Sequence, residues 1–220
     1  MPEVLTVREG AYPDRDPSLL EAVPDAVRVH RTVAWDPLAL YQKLRRRFGN
    51  RSPDRLPAGS VRTDDESWLE SIARWIRANV FIPDARIGWL PFAVREGKAL
   101  LDTGRFDAMI TSGAPHSVHV TGRVLHRATG VPWVADLHDP WTDISYYDEF
   151  PHTDWARRLD ASLEQSVLAD AGAITTVSPS WADLFASKAD NDYTVVENGF
   201  DDRDFAGLDE PLDDGFVLSH

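Results

Sequence analysis

With 220 residues, of which 43% are hydrophobic and 27% charged, the chain holds enough apolar material for one large or two small packed domains, and its eight Trp and nine Phe exclude a disordered polypeptide. It has no Cys, which excludes a disulfide framework and thiolate metal sites. A formal net charge of −13 repels phosphate backbones, so no nucleic-acid partner is expected.

The opening stretch "MPEVLTVREGAYPDRD" lacks the basic and apolar regions of a signal peptide. No apolar run approaches the roughly 20 residues of a membrane span. A cytoplasmic protein is therefore expected. "EVLTV" (3–7) predicts a strand, and the period-two pattern of "AVRVHRTVAW" (26–35) predicts another, with Val27, Val29, Arg31 and Val33 alternating against Arg28, His30 and Thr32. Asp36 and Pro37 then open a predicted helix over 36–48, followed by a Gly/Pro/Ser loop over 49–60. Lys43, Arg45, Arg46, Arg47, Arg51, Arg55 and Arg62 crowd this one region. A helix with apolar and cationic faces can lie on an anionic membrane, so segment 38–55 is a candidate peripheral contact at the inner membrane face; an ordinary surface helix is the alternative.

The stretch 64–80 predicts a helix with Trp68, Leu69, Ile72, Trp75, Ile76 and Val80 on one apolar stripe. A loop and helix over 83–105 follow, closed by Gly104. Strands are predicted over 106–113, 131–138, 173–178 and 193–199, and helices over 116–129, 153–171 and 179–188. Thr153 is a candidate helix cap, Gly130 and Gly172 are helix stops, and Pro179 is a helix start. "FVLSH" (216–220) begins one more strand. Strict alternation of strand and helix predicts an α/β fold with a parallel sheet and helices on both faces.

Ligands of such folds sit at the carboxyl ends of the strands. Here those ends carry Ser112 and Gly113, then Asp136, His138 and Asp139, then Ser178, then Asn198 and Gly199. Gly113 lets backbone approach a ligand, and Ser112 and His116 sit where a helix begins, which favours an anion or hydroxyl-rich group. An ordinary strand-to-helix turn explains the same residues. His138 has three readings: a structural histidine, a general base, or a neutral hydrogen-bonding group in a cleft. On a strand Asp136 shares its face and Asp139 points away. His116, His119, His138 and Asp136 also suggest a metal-dependent hydrolase, but no H-x-H or H-E-x-x-H pattern supports it, and no metal or cofactor is expected. A non-catalytic binding module is a third reading.

"FDAMITSGAPHSVHVTGRVLHRATGVPWVADLHDPWTD", "ADAGAITTVSPSWADLFASK" and "TVVENGFDDRDF", in this order and spacing, resemble the N-terminal domain of glycosyltransferase family 4. The nearest pattern is the bacterial group with S-G-x-P-H-S-x-H after one strand and D-x-R/H-D-P-W after the next. The likeness is close over about residues 83–207 and weaker back to "PSLLEAVPDAVRVHRT". It implies one Rossmann-like half of a GT-B fold, occupying 1–207, with 208–220 as a hinge and the first strand of a second domain. It implies retaining transfer without bound metal, from a nucleotide-sugar donor held by that second domain to a sugar acceptor of the cell envelope or a polysaccharide. His138 matches a histidine that faces the donor sugar; Ser112, Gly113 and His116 match the acceptor-side rim; Asn198–Gly199 matches a turn leading to the hinge. The family's opening strand and glycine-rich loop have no counterpart, "EVLTV" resembles its second strand, and an open slot in the sheet is expected where the first would lie.

Overall fold

The computed structural model describes residues 1–10, 23–35 and 68–200. The expected helix over 36–48, the basic segment 38–55, the loop 49–60, the strand over 216–220 and the hinge unit 208–220 lie outside these residues.

Two short strands, β1 (Glu3–Val7) and β2 (Arg28–Thr32), pair in parallel with Val4 opposite Val29. Helix α1 (Trp68–Val80) follows, then a 3-10 turn over Ile87–Trp89 that runs directly into α2 (Leu90–Leu101), with Pro91 in its first turn. From there strand and helix alternate: β3 (Met109–Ser112), α3 (Ser117–Thr129), β4 (Trp133–Leu137), α4 (Asp154–Asp170), β5 (Ala173–Thr176), α5 (Pro179–Ala186) and β6 (Tyr193–Val195). The sheet order is β3-β4-β5-β6, and every neighbouring pair is parallel. This is the α/β arrangement that the alternation predicts, and it has the Rossmann-like character that the resemblance implies.

Local chemistry sets the boundaries. Thr153 caps α4 by accepting from the Ala156 amide at 3.3 Å, and Ser178 caps α5 by accepting from the Trp181 amide at 3.3 Å. Gly130 ends α3 at φ 74°, a conformation that costs a residue with a Cβ. The core forms where β4, α3, α4 and α5 meet. Trp133, Ala135 and Leu137 point inward from alternate positions of β4, against Val120, Val167, Leu168 and Phe185. Gly122 lets α3 approach this layer: a Cβ there would stand 2.6 Å from the Thr111 methyl and 2.6 Å from Trp133 Nε1.

Two faces differ from the periodic reading. In α1, Ile72, Trp75, Ile76 and Val80 are exposed, while Ala78 and Asn79 are buried. The helix is anchored through Asn79, which donates to the carbonyls of Trp75 and Pro151 at 2.9 Å each and accepts from the Thr153 amide at 2.7 Å. Satisfying two backbone groups of the 151–153 turn decides which side faces in. Val29 of β2 and Val33 just beyond it are exposed, and the polar side is the inner one: His30 pairs with Glu3 at 2.8 Å, and Thr32 accepts from the Trp89 indole at 2.7 Å.

Among the described residues β1 pairs only with β2, and β3 only with β4. Helix α2 touches both units: a Cβ on Gly97 would stand 2.7 Å from Leu125 of α3 and 3.4 Å from Leu5 of β1. Arg105, just before β3, reaches Glu3 of β1 at 3.2 Å.

Candidate functional site

The parallel register brings the carboxyl ends of β3, β4 and β5 side by side, with Ser112 opposite Asp136 and Asp136 opposite Thr175. Their side chains meet around one carboxylate. Asp136 Oδ2 accepts from the Ser112 hydroxyl at 2.6 Å and from His138 Nε2 at 2.8 Å, and Asp136 Oδ1 accepts from the Thr175 hydroxyl at 2.6 Å. Burial pushes the Asp136 carboxyl up, but the three donors outweigh it and hold the group below the usual carboxylate range. Asp136 is thus an anion at neutral pH. Because it only accepts, His138 Nε2 carries the proton shared with it, and Nδ1 makes no hydrogen bond among the described residues. His138 and Ser112 lie 3.2 Å apart and both reach solvent.

The turn between β3 and α3 is held from beneath. His119 is fully buried and uses both ring nitrogens: Nδ1 meets the Thr111 hydroxyl at 2.9 Å and Nε2 meets the Gly113 carbonyl at 2.9 Å. The Trp133 indole donates to the same Thr111 oxygen at 2.9 Å. The Thr111 hydroxyl therefore donates its hydrogen bond to Nδ1, and Nε2–H donates to the Gly113 carbonyl. Burial lowers His119 to about 4, so the ring is neutral. Gly113 sits at φ 119° and also donates its amide to the Asp136 carbonyl at 3.1 Å, which ties the turn to β4. Both nitrogens of His119 being taken, it cannot serve the His/Asp metal set, and no group of three metal-binding side chains occurs among the described residues.

His116 and Asp139 stand apart from this cluster, beside a cavity of about 220 Å³. The His116 ring stacks on Trp141 with centroids 4.7 Å apart and planes 8° from parallel. Burial lowers His116 to about 3, with a smaller contribution from His119, so it too is neutral. Its Nδ1 is buried with no hydrogen-bond partner. Asp160 of α4 forms the floor and accepts from the Trp141 indole at 2.7 Å and the Tyr147 hydroxyl at 2.8 Å. Burial raises Asp160 to about 6 despite those two donors, and raises the Tyr147 phenol beyond its ordinary value. Asp84 takes up the Ser117 amide and hydroxyl and the Arg86 amide.

Ser178 spends its hydroxyl on capping α5. Asn198 and Gly199 lie beyond β6, exposed, and make no hydrogen bond with Ser112, Asp136 or His138. Sequence reasoning missed Thr175 and the cavity. Thr175 is one of two threonines ending β5, and only the register singles it out. The cavity had a legible sign: the aromatic run Tyr146, Tyr147 and Phe150 within a connection, where apolar rings need a reason to stay.

The sequence profile described as Glycosyltransferase Family 4 matches residues 51–204. No curated protein sequence matches the chain.

Proposed function

The chain belongs to glycosyltransferase family 4, and from that premise we propose that it is the acceptor-binding domain of a retaining glycosyltransferase. In the proposed reaction the bond from the anomeric carbon to the nucleotide diphosphate oxygen breaks. A bond to an acceptor hydroxyl oxygen forms on the same face, and the hydroxyl proton leaves with the diphosphate. The nucleotide sugar is held by a second domain, and the acceptor belongs to the cell envelope or a polysaccharide. The reaction is placed in the cytoplasm, at or near an anionic membrane face.

The observation that carries this reading is the Ser112–Asp136–His138–Thr175 cluster at the ends of three adjacent parallel strands. Asp136 is already saturated with donors and is not free to act as a base. Its role is to fix the orientation of the His138 ring. Neutral His138 accepts a sugar hydroxyl through Nδ1; protonated, it donates toward the charge that develops as the diphosphate leaves. Ser112 offers a second polar contact on the same rim.

The test is sugar transfer by the complete enzyme. His138→Ala lowers kcat by roughly 10²–10³, the range for removing one group that stabilises transition-state charge, while the fold is retained. Unchanged turnover in that variant would overturn the assignment.

A further inference from the structure

The cavity beside the rim has walls and polar groups of one chemical kind. Phe81, Trp141, Tyr146, Tyr147 and Phe150 supply flat apolar faces. At about 220 Å³ it is smaller than the roughly 300–1,000 Å³ of sites for drug-sized ligands, so it takes one ring and not an extended chain. Aromatic faces hold the C–H face of a sugar ring and leave its hydroxyls to be met by polar groups at the edge.

Those polar groups seek donors. Asp139, at the opening, has no hydrogen-bond or ion-pair partner among the described residues, although it adjoins His138. Asp160 lies at the floor with only neutral donors on its oxygens. His116 Nδ1 is buried and unpaired. Among the described residues the one cation on the lining is Arg77, which is exposed, its guanidinium 5.9 Å from the centre of the Phe150 ring. A phosphate or carboxylate in this cavity would be desolvated against carboxylates and gain one solvated arginine. A hydroxyl or ammonium would meet carboxylate acceptors at Asp139 and Asp160, and a hydroxyl can pair with His116 Nδ1 in either tautomer.

We propose that this cavity seats the sugar ring of the acceptor, and that it selects a neutral or amine-bearing pyranose over one carrying a phosphate or carboxylate. This rests on the glycosyl-transfer reading above. It adds the substrate class, and it assigns Asp139 and Phe150 as the groups that orient and stack the ring.

The experiment is a binding titration of the full chain, without donor, by saturation-transfer NMR. The probes are methyl glucopyranoside, methyl glucosaminide and methyl glucopyranoside 6-phosphate. The first two bind, and the phosphate binds weaker by roughly tenfold or more. Phe150→Ala and, separately, Asp139→Asn each lose most of the transferred saturation while the protein's own spectrum stays dispersed. His138→Ala still binds the rings, because His138 is outside the cavity. Equal or tighter binding of the phosphate overturns the substrate class, and binding of none of the three overturns the cavity assignment. Either result leaves the transfer reaction standing if His138→Ala still lowers turnover as expected above. Ring binding that survives both cavity substitutions places the ring elsewhere and also sinks the proposal.

Discussion

Asp136, half-buried, and Asp160, buried, are two carboxyls with opposite fates. Asp136 gathers three donors, one of them an imidazole, and stays ionised. Asp160 has two neutral donors in a drier place, 3% exposed, and rises to about 6 from an ordinary 3.8. For a carboxyl whose folded value is raised, the ionised form is the disfavoured one in the fold. Folding takes up a proton between roughly pH 4 and 6, and stability falls as pH rises through that window. A shift of about two units corresponds to on the order of 2–3 kcal/mol. Asp160→Asn cannot ionise, but its amide nitrogen faces one of the two donors and loses one hydrogen bond, about 1 kcal/mol. Urea midpoints at pH 4.5 and 7.5 check this. The fall in stability seen in the parent chain between these values shrinks in Asp160→Asn; an equal fall in both proteins would mean that Asp160 is ionised throughout. The sequence could not rank these acids, because what separates them is which side chains the register and α4 bring beside each. Residue types at the rim were legible; the sharing of one carboxylate by Ser112, Thr175 and His138 was not, since Thr175 lies 39 residues from Asp136.

At the level of elements, small residues report packing that hydrophobic periodicity overlooks. Gly122 lies on the α3 face that meets β3 and β4, where an added Cβ would strike the Trp133 indole at 2.6 Å. That ring is fully buried and pinned by its bond to Thr111, so it cannot retreat. At Gly97 the obstruction is a Leu125 methyl at 2.7 Å, the end of a side chain that can change rotamer. Both positions are helical, where alanine is intrinsically better by about 1 kcal/mol. Gly122→Ala therefore destabilises by roughly 1–3 kcal/mol, whereas Gly97→Ala is near neutral. Thermal or denaturant unfolding of the two variants separates them, and equal midpoints would refute the distinction. Helix α1 carries the same lesson in reverse. Its apolar stripe predicted burial, yet Asn79, a polar residue, is the one that docks, because two backbone groups of the 151–153 turn need a partner more than the stripe needs cover.

Over the whole molecule, the alternation of strand and helix from residue 106 to 199 was plain because period two and period 3.6 are local signals. The separation of β1–β2 from β3–β6 carries no local signal, since pairing is a property of neighbours in space; only the resemblance, which leaves a slot where the family's first strand would lie, pointed to it. Charge is likewise uneven: the net is −13, yet seven of the basic residues fall between positions 43 and 62, immediately ahead in the chain of the helix whose Ile72, Trp75, Ile76 and Val80 are exposed. No helix among the described residues is long and apolar enough to cross a membrane. A cationic stretch leading into an exposed Trp/Ile stripe instead suits the plane of an anionic surface, where each cation contributes about 1 kcal/mol and the apolar side chains enter the headgroup boundary. The expected outcome is co-sedimentation of the full chain with vesicles of phosphatidylcholine and phosphatidylglycerol at low salt. Release is expected as salt shortens the Debye length from about 30 Å at 0.01 M to about 3 Å at 1 M. With phosphatidylcholine alone, most of the protein stays in the supernatant. Replacing Trp75 and Ile76 by Ser weakens binding at low salt without lowering the unfolding midpoint, because neither side chain is buried. If the chain remains in the supernatant equally with both vesicle types, the acidic bulk of the molecule dominates and the membrane contact is refuted.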